Sequence, residues 1–405
     1  MNSLNRNILI ATTLAVVSGM IMNYFEMNNE GNSFLIELLD LVGNLFIQLL
    51  KMIMIPLLFF SLTTSIAGLG SHKNSQKIWK NVLLYYLVTM VIAIVFTVLI
   101  FNIFQPGKDS EISFITSNNP LFENTQNNSI KTVILSFFEN PFSALANNNI
   151  LAIILSAILI GIALTSKDKK TAIIISFLEG CYDVVMQITM MVMKIAPIGI
   201  FGLLTTLIIN QELSIFANLF SFIIFVLGAT LFHGLVILPS ILFFITKIRP
   251  MDLWIKCKEV FLTAFSTSSS AATLPFTMHA LEKNFNIKKN ISKFVLPLGA
   301  TVNMDGTALY EAAAAMFIAN LVGIDLSIIQ QLILVVLAMS ASIGAPAIPS
   351  AGMVTLALVL STLNLPVEYI ALLLPIDRLL DTFRTTVNVE GDIVGALIVD
   401  KLAKR

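Results

Sequence analysis

Ser266-Thr267-Ser268-Ser269-Ser270-Ala271-Ala272-Thr273-Leu274-Pro275 puts hydroxyl and small residues in the middle of an apolar segment, 259–275. A second apolar segment, 332–362, is interrupted by Ser342-Ile343-Gly344-Ala345-Pro346-Ala347-Ile348-Pro349-Ser350-Ala351-Gly352. At membrane depth such backbone is tolerated only where it is buried in protein or lines a cavity. Basic connectors flank the first segment on both sides (Lys256, Lys258; Lys283, Lys288), and acidic, lysine-free connectors flank the second (Asp325; Glu368). Both ends of the first therefore read as cytoplasmic and both ends of the second as external. The economical reading is two re-entrant hairpins entering a membrane from opposite faces. Paired broken segments of this kind point to a transporter's binding site.

The rest of the chain supports a membrane setting. Of its 405 residues, 57% are hydrophobic and 12% are charged, against about 25% charged in soluble domains. That composition excludes a soluble enzyme, a nucleic-acid binder and a disordered chain. The two cysteines and three histidines form no disulfide framework and no metal motif. Long apolar runs cover roughly 7–24, 34–70, 81–104, 150–165, 171–208, 215–246, 291–323, 327–362 and 366–399, and a crossing helix needs about 20 residues. The first run has no clear small-x-small cleavage site and reads as a retained helix. With the N-terminus in the cytoplasm, eighteen of the 24 basic residues fall in cytoplasmic connectors, and outside connectors hold only Lys108 and Lys131.

The last run carries the densest chemistry, from Asp377-Arg378 through Asp381-Thr382-Phe383-Arg384-Thr385 to Asn388-Val389-Glu390-Gly391-Asp392. At about 100° per residue, Asp377, Asp381, Arg384, Thr385, Asn388 and Asp392 share one face, with Glu390 opposite. Ionisable residues within a membrane are costly and default to function. Arginine matches a carboxylate bidentately, and a buried aspartate takes an ammonium group or a hard cation. The stripe thus suits a zwitterionic or anionic solute plus cations. For Asp377 and Arg378, near its outer end, an ion pair locking helix to helix is the competing reading. A second polar element, Gly299-Ala300-Thr301-Val302-Asn303-Met304-Asp305-Gly306-Thr307, interrupts the run before it, and local unwinding there would free carbonyls for a cation. Glu311 is a further acid at mid-run.

These motifs resemble the dicarboxylate/amino acid:cation symporters, which include the excitatory amino-acid transporters and prokaryotic sodium/aspartate symporters. The matches extend along nearly the whole chain, among them Lys51-Met52 to Pro56, Tyr85-Tyr86, Asn140-Pro141-Phe142 and Ala196-Pro197-Ile198-Gly199. The resemblance implies an all-α membrane protein with eight transmembrane helices and two opposed hairpins, inner (251–280) and outer (327–362). It implies a trimerising scaffold part, about 7–70 and 150–208. A transport part, about 81–104 and 215–405, would move through it as an elevator, with the outer hairpin as gate. The implied setting is a bacterial inner membrane with both termini cytoplasmic, lipid around a homotrimer, and no nucleic acid and no cofactor beyond coupling ions.

Carried onto this chain, the resemblance implies that Arg384 binds the substrate side-chain carboxylate and Asp381 its amino group. Ser269, Ser270, Thr307, Thr385, Asn388 and backbone near Ile348 and Gly352 would complete the shell. One sodium site would use Asp392 with carbonyls of Gly299, Asn303 and Asn388. A second would use carbonyls of Thr301, Ser342, Ile343 and Ala345. A third would use Asp305, Asn303, Thr89 and the Tyr86 carbonyl, weakened by Met90 where a hydroxyl residue is usual. Ala271 stands for a serine of the inner hairpin, and Pro346 and Ala347 for a more flexible outer tip. Glu311 matches the proton-carrying glutamate of the animal transporters, so proton coupling, with potassium counter-transport, is expected to be open to this chain. Sequence reasoning favours glutamate or aspartate as substrate over a C4-dicarboxylate, because a dicarboxylate brings no ammonium to Asp381. It favours them over a neutral amino acid because of Arg384.

Overall fold

The computed structural model describes residues 3–24, 33–69, 76–108, 135–147, 149–165, 169–210, 214–345 and 352–403. The regular secondary structure of these residues is helical, without strands. The chain runs α1 (Ser3–Tyr24), α2 (Ser33–Leu69), α3 (Gln76–Phe104), the short α4 (Pro141–Ala146), α5 (Ile150–Leu164) and α6 (Lys169–Asn210). Five stretches are long and apolar enough to cross a membrane: Arg6–Tyr24, Phe34–Gly68, Lys80–Phe104, Thr171–Ile209 and Asn218–Thr246. The remaining apolar runs of the sequence fold as shorter or charge-bearing helices.

Helices α1, α2, α5 and α6 pack on one another. The α2–α6 seam closes because glycines face bulky side chains. A Cβ on Gly199 would lie 2.3 Å from that of Phe46, and one on Gly202 would lie 2.5 Å from the Leu39 carbonyl. α7 (Ser214–Phe232) passes through a π turn, His233–Ile237, into α8 (Leu238–Thr246). Pro239 accounts for the wide turn, since its ring has no N–H to give and crowds the carbonyl four residues earlier.

The serine-rich segment forms a helical pair. After α9 (Pro250–Lys256) come α10 (Lys258–Thr267) and α11 (Ser270–Asn284), which pack on each other. Ser268 turns the chain in the left-handed region at φ +49°, and Ser269 caps α11 by accepting from the Ala272 N–H at 3.2 Å. The second broken segment supplies α14 (Ile328–Gly344) and α15 (Gly352–Thr362), also packed on each other. Its tip, including Ile348, Pro346 and Ala347, lies outside the described residues. Between the pairs come α12 (Lys289–Val302) and α13 (Asp305–Leu321), separated by Asn303 and Met304. The last helix, α16 (Ile370–Ala403), contacts α3, α7, α8, α10, α11, α12, α13 and α15, so its polar stripe meets nearly every element of this half.

Candidate functional site

The unwinding expected at Asn303-Met304-Asp305 is present. Asn303 leaves the helix at φ −87°, ψ 91°, and Met304 follows at φ −122°, ψ 46°. Breaking a helix frees its last carbonyls and first N–H groups, and side chains from the last helix take up part of the debt. The Gly306 N–H donates to Asn388 Oδ1 at 2.7 Å, while Asn388 Nδ2 donates to Thr307 Oγ1 at 3.2 Å and to the Met304 sulfur at 3.4 Å. Asn303 Nδ2 donates to the Asn388 carbonyl and to Asp392 Oδ1, both at 2.9 Å, and its buried Oδ1 has no hydrogen-bond partner.

Two glycines allow this closeness. A Cβ on Gly299 would lie 2.4 Å from Asp392 Oδ1 and 2.6 Å from the Tyr86 hydroxyl oxygen, and one on Gly306 would lie 2.6 Å from the Arg384 carbonyl oxygen. At Gly306 the obstacle is backbone and cannot swing aside. Gly306→Ala is therefore expected to destabilise the fold by about 1–3 kcal/mol, read as a lower thermal midpoint of the purified protein; an unchanged midpoint would mean that α13 and α16 are looser than described.

Arg384 anchors a second group. It is 1% exposed, and its Nη2 donates to Asp377 Oδ1 at 2.7 Å and Asp381 Oδ1 at 2.9 Å. Its guanidinium lies over the Tyr310 ring, 3.9 Å from the centroid, a favourable place for a cation. Its Nε and Nη1 are buried without hydrogen-bond partners. Gly352, at the start of α15, sits beside it: a Cβ there would lie 3.8 Å from Nη1 and 3.4 Å from Thr307 Cγ2. Thr385 is buried on the same helix. A planar cation held at one nitrogen, with donors left over, is arranged to receive an anionic group from outside the chain. Replacing such a buried ionic cluster with apolar side chains is often neutral or stabilising, so stability alone does not account for it.

A third group surrounds Asp305, which is fully buried. Thr89 Oγ1 lies 3.3 Å from its Oδ1 and 3.2 Å from the Tyr86 carbonyl, and His233 Nε2 lies 3.0 Å from its Oδ2. Thr89, Tyr86 and Asp305 thus come together as anticipated. Asn303 turns instead toward Asp392. His233, one of the three histidines whose spacing forms no metal motif, enters through the π turn. Met90 is buried, and its sulfur accepts from Ser342 Oγ at 3.4 Å.

The remaining anticipated residues are less converged. Thr301 is exposed, and its hydroxyl bonds the Leu298 carbonyl of its own helix at 3.0 Å. Ser342 is buried, its carbonyl accepting from the Ala345 N–H at 3.0 Å, and Ile343 is half-buried. Ser270 is buried in the α10–α11 pair, as is Ser268 of the same serine run, whose hydroxyl has no partner. The pair leans on the last helix through Phe265 and Phe383, edge to face at 5.1 Å. Glu311 is fully buried. One of its oxygens is bonded by Thr355 Oγ1 from α15, and the other, Oε2, has no partner.

Apolar helices around buried charged side chains, with one helix opened at mid-length, are the architecture of a membrane transporter. The chain belongs to the sodium:dicarboxylate symporter family, whose profile matches residues 4–402, and is an integral membrane protein. It is 33% identical to excitatory amino acid transporter 3 of Bos taurus, the alignment covering 99% of this chain and 86% of that protein. It is 33% identical to excitatory amino acid transporter 2 of Mus musculus, covering 100% and 80%. It is 32% identical to an excitatory amino acid transporter of Caenorhabditis elegans, covering 98% and 88%.

Proposed function

We propose that this protein is a secondary active symporter that imports an acidic amino acid, glutamate or aspartate, coupled to sodium, protons or both. The observation that carries this reading is the half-satisfied Arg384: Nη2 is held by Asp377 and Asp381 while Nε and Nη1 have no partners. A substrate side-chain carboxylate fits the free edge of the guanidinium, and its ammonium group fits Asp381. Thr307, Asn388, Thr385, Ser269, Ser270 and the Gly352 backbone complete the shell in this reading. The relatives' name, excitatory amino acid transporter, points the same way.

For the coupling ions, Asp392 with the Gly299, Asn303 and Asn388 oxygens forms the first sodium site. Asp305, Thr89 and the Tyr86 carbonyl form another, and the mouth of the outer hairpin (Thr301, Ser342, Ile343, Ala345) a third. Oxygen-rich, acidic surroundings suit a hard cation. The α10–α11 and α14–α15 pairs act as re-entrant inner and outer hairpins within an eight-helix fold. The outer one gates, and the half built on α3 and α7–α16 moves as an elevator past a trimeric scaffold of α1, α2, α5 and α6. Both termini face the cytoplasm of a bacterial inner membrane.

Glu311 is the proton carrier in this reading, because its carboxyl touches the gating arm through Thr355 and is sealed from water. Glu311→Gln is expected to retain the Thr355 contact and to remove most of the pH dependence of uptake; a full wild-type pH profile in that variant would sink the assignment. The deciding experiment for the function as a whole is uptake into proteoliposomes with sodium, proton and potassium gradients imposed one at a time. Accumulation of labelled aspartate or glutamate under an inward sodium or proton gradient is the expected result, and no accumulation under either would overturn the reading.

A further inference from the structure

Helices α1 and α6 run side by side in the same direction. Asn23 Nδ2 donates to the Ile208 carbonyl at 3.1 Å, and the Ser18 and Thr205 hydroxyl oxygens lie 3.3 Å apart. Gly19 keeps this end of the seam closed, since a Cβ there would lie 2.8 Å from that of Ile208. Toward the start of α1 the seam opens into a cavity of about 280 Å³, walled by Ile10, Leu14, Ile198 and Phe201 and reached by Asn7. Ile10, Leu14 and Ile198 are exposed, so the cavity is an apolar groove open along its side.

The length of α1 fixes where this groove lies in a bilayer. Arg6–Tyr24 is 19 residues, about 28 Å at 1.5 Å per residue, close to the roughly 30 Å of a bilayer's apolar core. Arg6 then falls at one boundary and Tyr24 at the other, where basic and aromatic anchors belong. Sixteen positions back from the bonded pair Asn23 and Ile208 lie Asn7 and Val192, which puts Arg6 and Lys194 within about 5 Å of each other along the helix axes. Arg6 stands one turn before Ile10, and Lys194 one turn before Ile198, so each cation shares a helix face with a wall of the groove. Both are exposed, and neither forms an ion pair among the described residues.

We propose that the α1–α6 groove is a binding site for one anionic phospholipid, its acyl chain lying along Ile10, Leu14, Ile198 and Phe201 and its phosphate held by Arg6, Lys194 and the Asn7 amide. Shape and charge choose this occupant together. An apolar groove alone would accept the chain of any lipid. Two cations at one level, on adjacent helices and at the membrane boundary, form the kind of basic pocket that takes an anionic headgroup. The site lies on the α1–α6 surface and shares no residue with the buried groups around Arg384, Asp392 and Asp305.

The test is native mass spectrometry of the full chain in detergent, titrated with dioleoyl-phosphatidylglycerol or with dioleoyl-phosphatidylcholine, which share their chains and differ in headgroup charge. The wild type is expected to retain one phosphatidylglycerol per protomer with a Kd at least about tenfold below that for phosphatidylcholine, the weight of two basic side chains beside an anionic headgroup. The double variant Arg6→Gln, Lys194→Gln is expected to bring the two Kd values within about twofold. Ile198→Trp, which fills the groove from an exposed position, is expected to weaken both lipids by about tenfold. Equal retention of the two lipids by the wild type would overturn the proposal, and this comparison stands even where a variant fails to fold. A phosphatidylglycerol preference that survives the loss of both cations would overturn it as well. A groove covered by a second copy of the chain would show as an Ile198→Trp protein that loses its oligomeric state with lipid retention unchanged, and that outcome too would overturn it.

Discussion

Arg384→Ala is expected to lower uptake of acidic amino acids by at least about 100-fold, with the purified protein still eluting as one folded species. Truncating one partner of a buried, hydrogen-bonded charge pair costs roughly 2–5 kcal/mol of binding, and about 2.7 kcal/mol is a factor of 100. The size follows from what Arg384 touches. It is the cation shared by Asp377 and Asp381, and it carries the two partnerless donors beside Gly352. Alanine also leaves both acids without that cation, which destabilises the fold, so Arg384→Lys is the informative companion. Lysine keeps the charge for Asp377 and Asp381 but has no planar fork, and uptake is expected to drop at least about tenfold by the same reasoning. Wild-type aspartate or glutamate transport in the alanine variant would remove Arg384 from the binding site.

Asp392→Asn is expected to raise the sodium concentration for half-maximal binding by roughly 10–100-fold. The amide is nearly isosteric, so it can still accept from Asn303 Nδ2, now at 2.9 Å, and still pack against Gly299. What it loses is the formal charge facing the oxygens freed by the break at Asn303, and a hard cation depends on that charge. Sodium titration of substrate binding, by tryptophan fluorescence or by competition, reads the shift directly. An unaltered sodium dependence would strike Asp392 from the cation site, whatever happens to the rate.

Much of this site is legible in the sequence, for reasons that can be stated residue by residue. Asp377, Asp381 and Arg384 lie on one stripe of a long helix at 100° per residue, and the short contacts among them follow from that spacing. Glu390 falls on the opposite face, and there it meets a different neighbour, accepting from Trp254 Nε1 at 3.1 Å. The break at Asn303 is legible because residues that bond their own backbone interrupt an apolar run. The ring of Tyr310 under Arg384 is not legible, because it depends on how α13 rotates against α16. Nor is the role of Asp377: its place near the outer end of the stripe is equally compatible with a plain interhelical lock. Nor is the place of Thr301, whose hydroxyl turns back on its own helix. The contact between His233 and Asp305 spans 72 positions in the chain, and no local spacing announces it.

The wide turn at His233–Ile237 also sets the phase of a helix. The Leu238 N–H reaches back five residues to the His233 carbonyl, one more than in an α-helix. The turn therefore stores one surplus residue, and each residue of an α-helix is worth about 100° of rotation. Excising one residue from 234–237 would remove the surplus and keep the phase, whereas forcing all of them into regular α-form would turn α8 by about that angle relative to α7. Either His233 would swing off Asp305, or the apolar face of α8, with Leu238 and Leu242 now fully buried, would swing out of its seat. The two surfaces are in register only because the helix miscounts once, so the hydrogen-bond geometry of this turn constrains the molecule as tightly as the identity of its side chains.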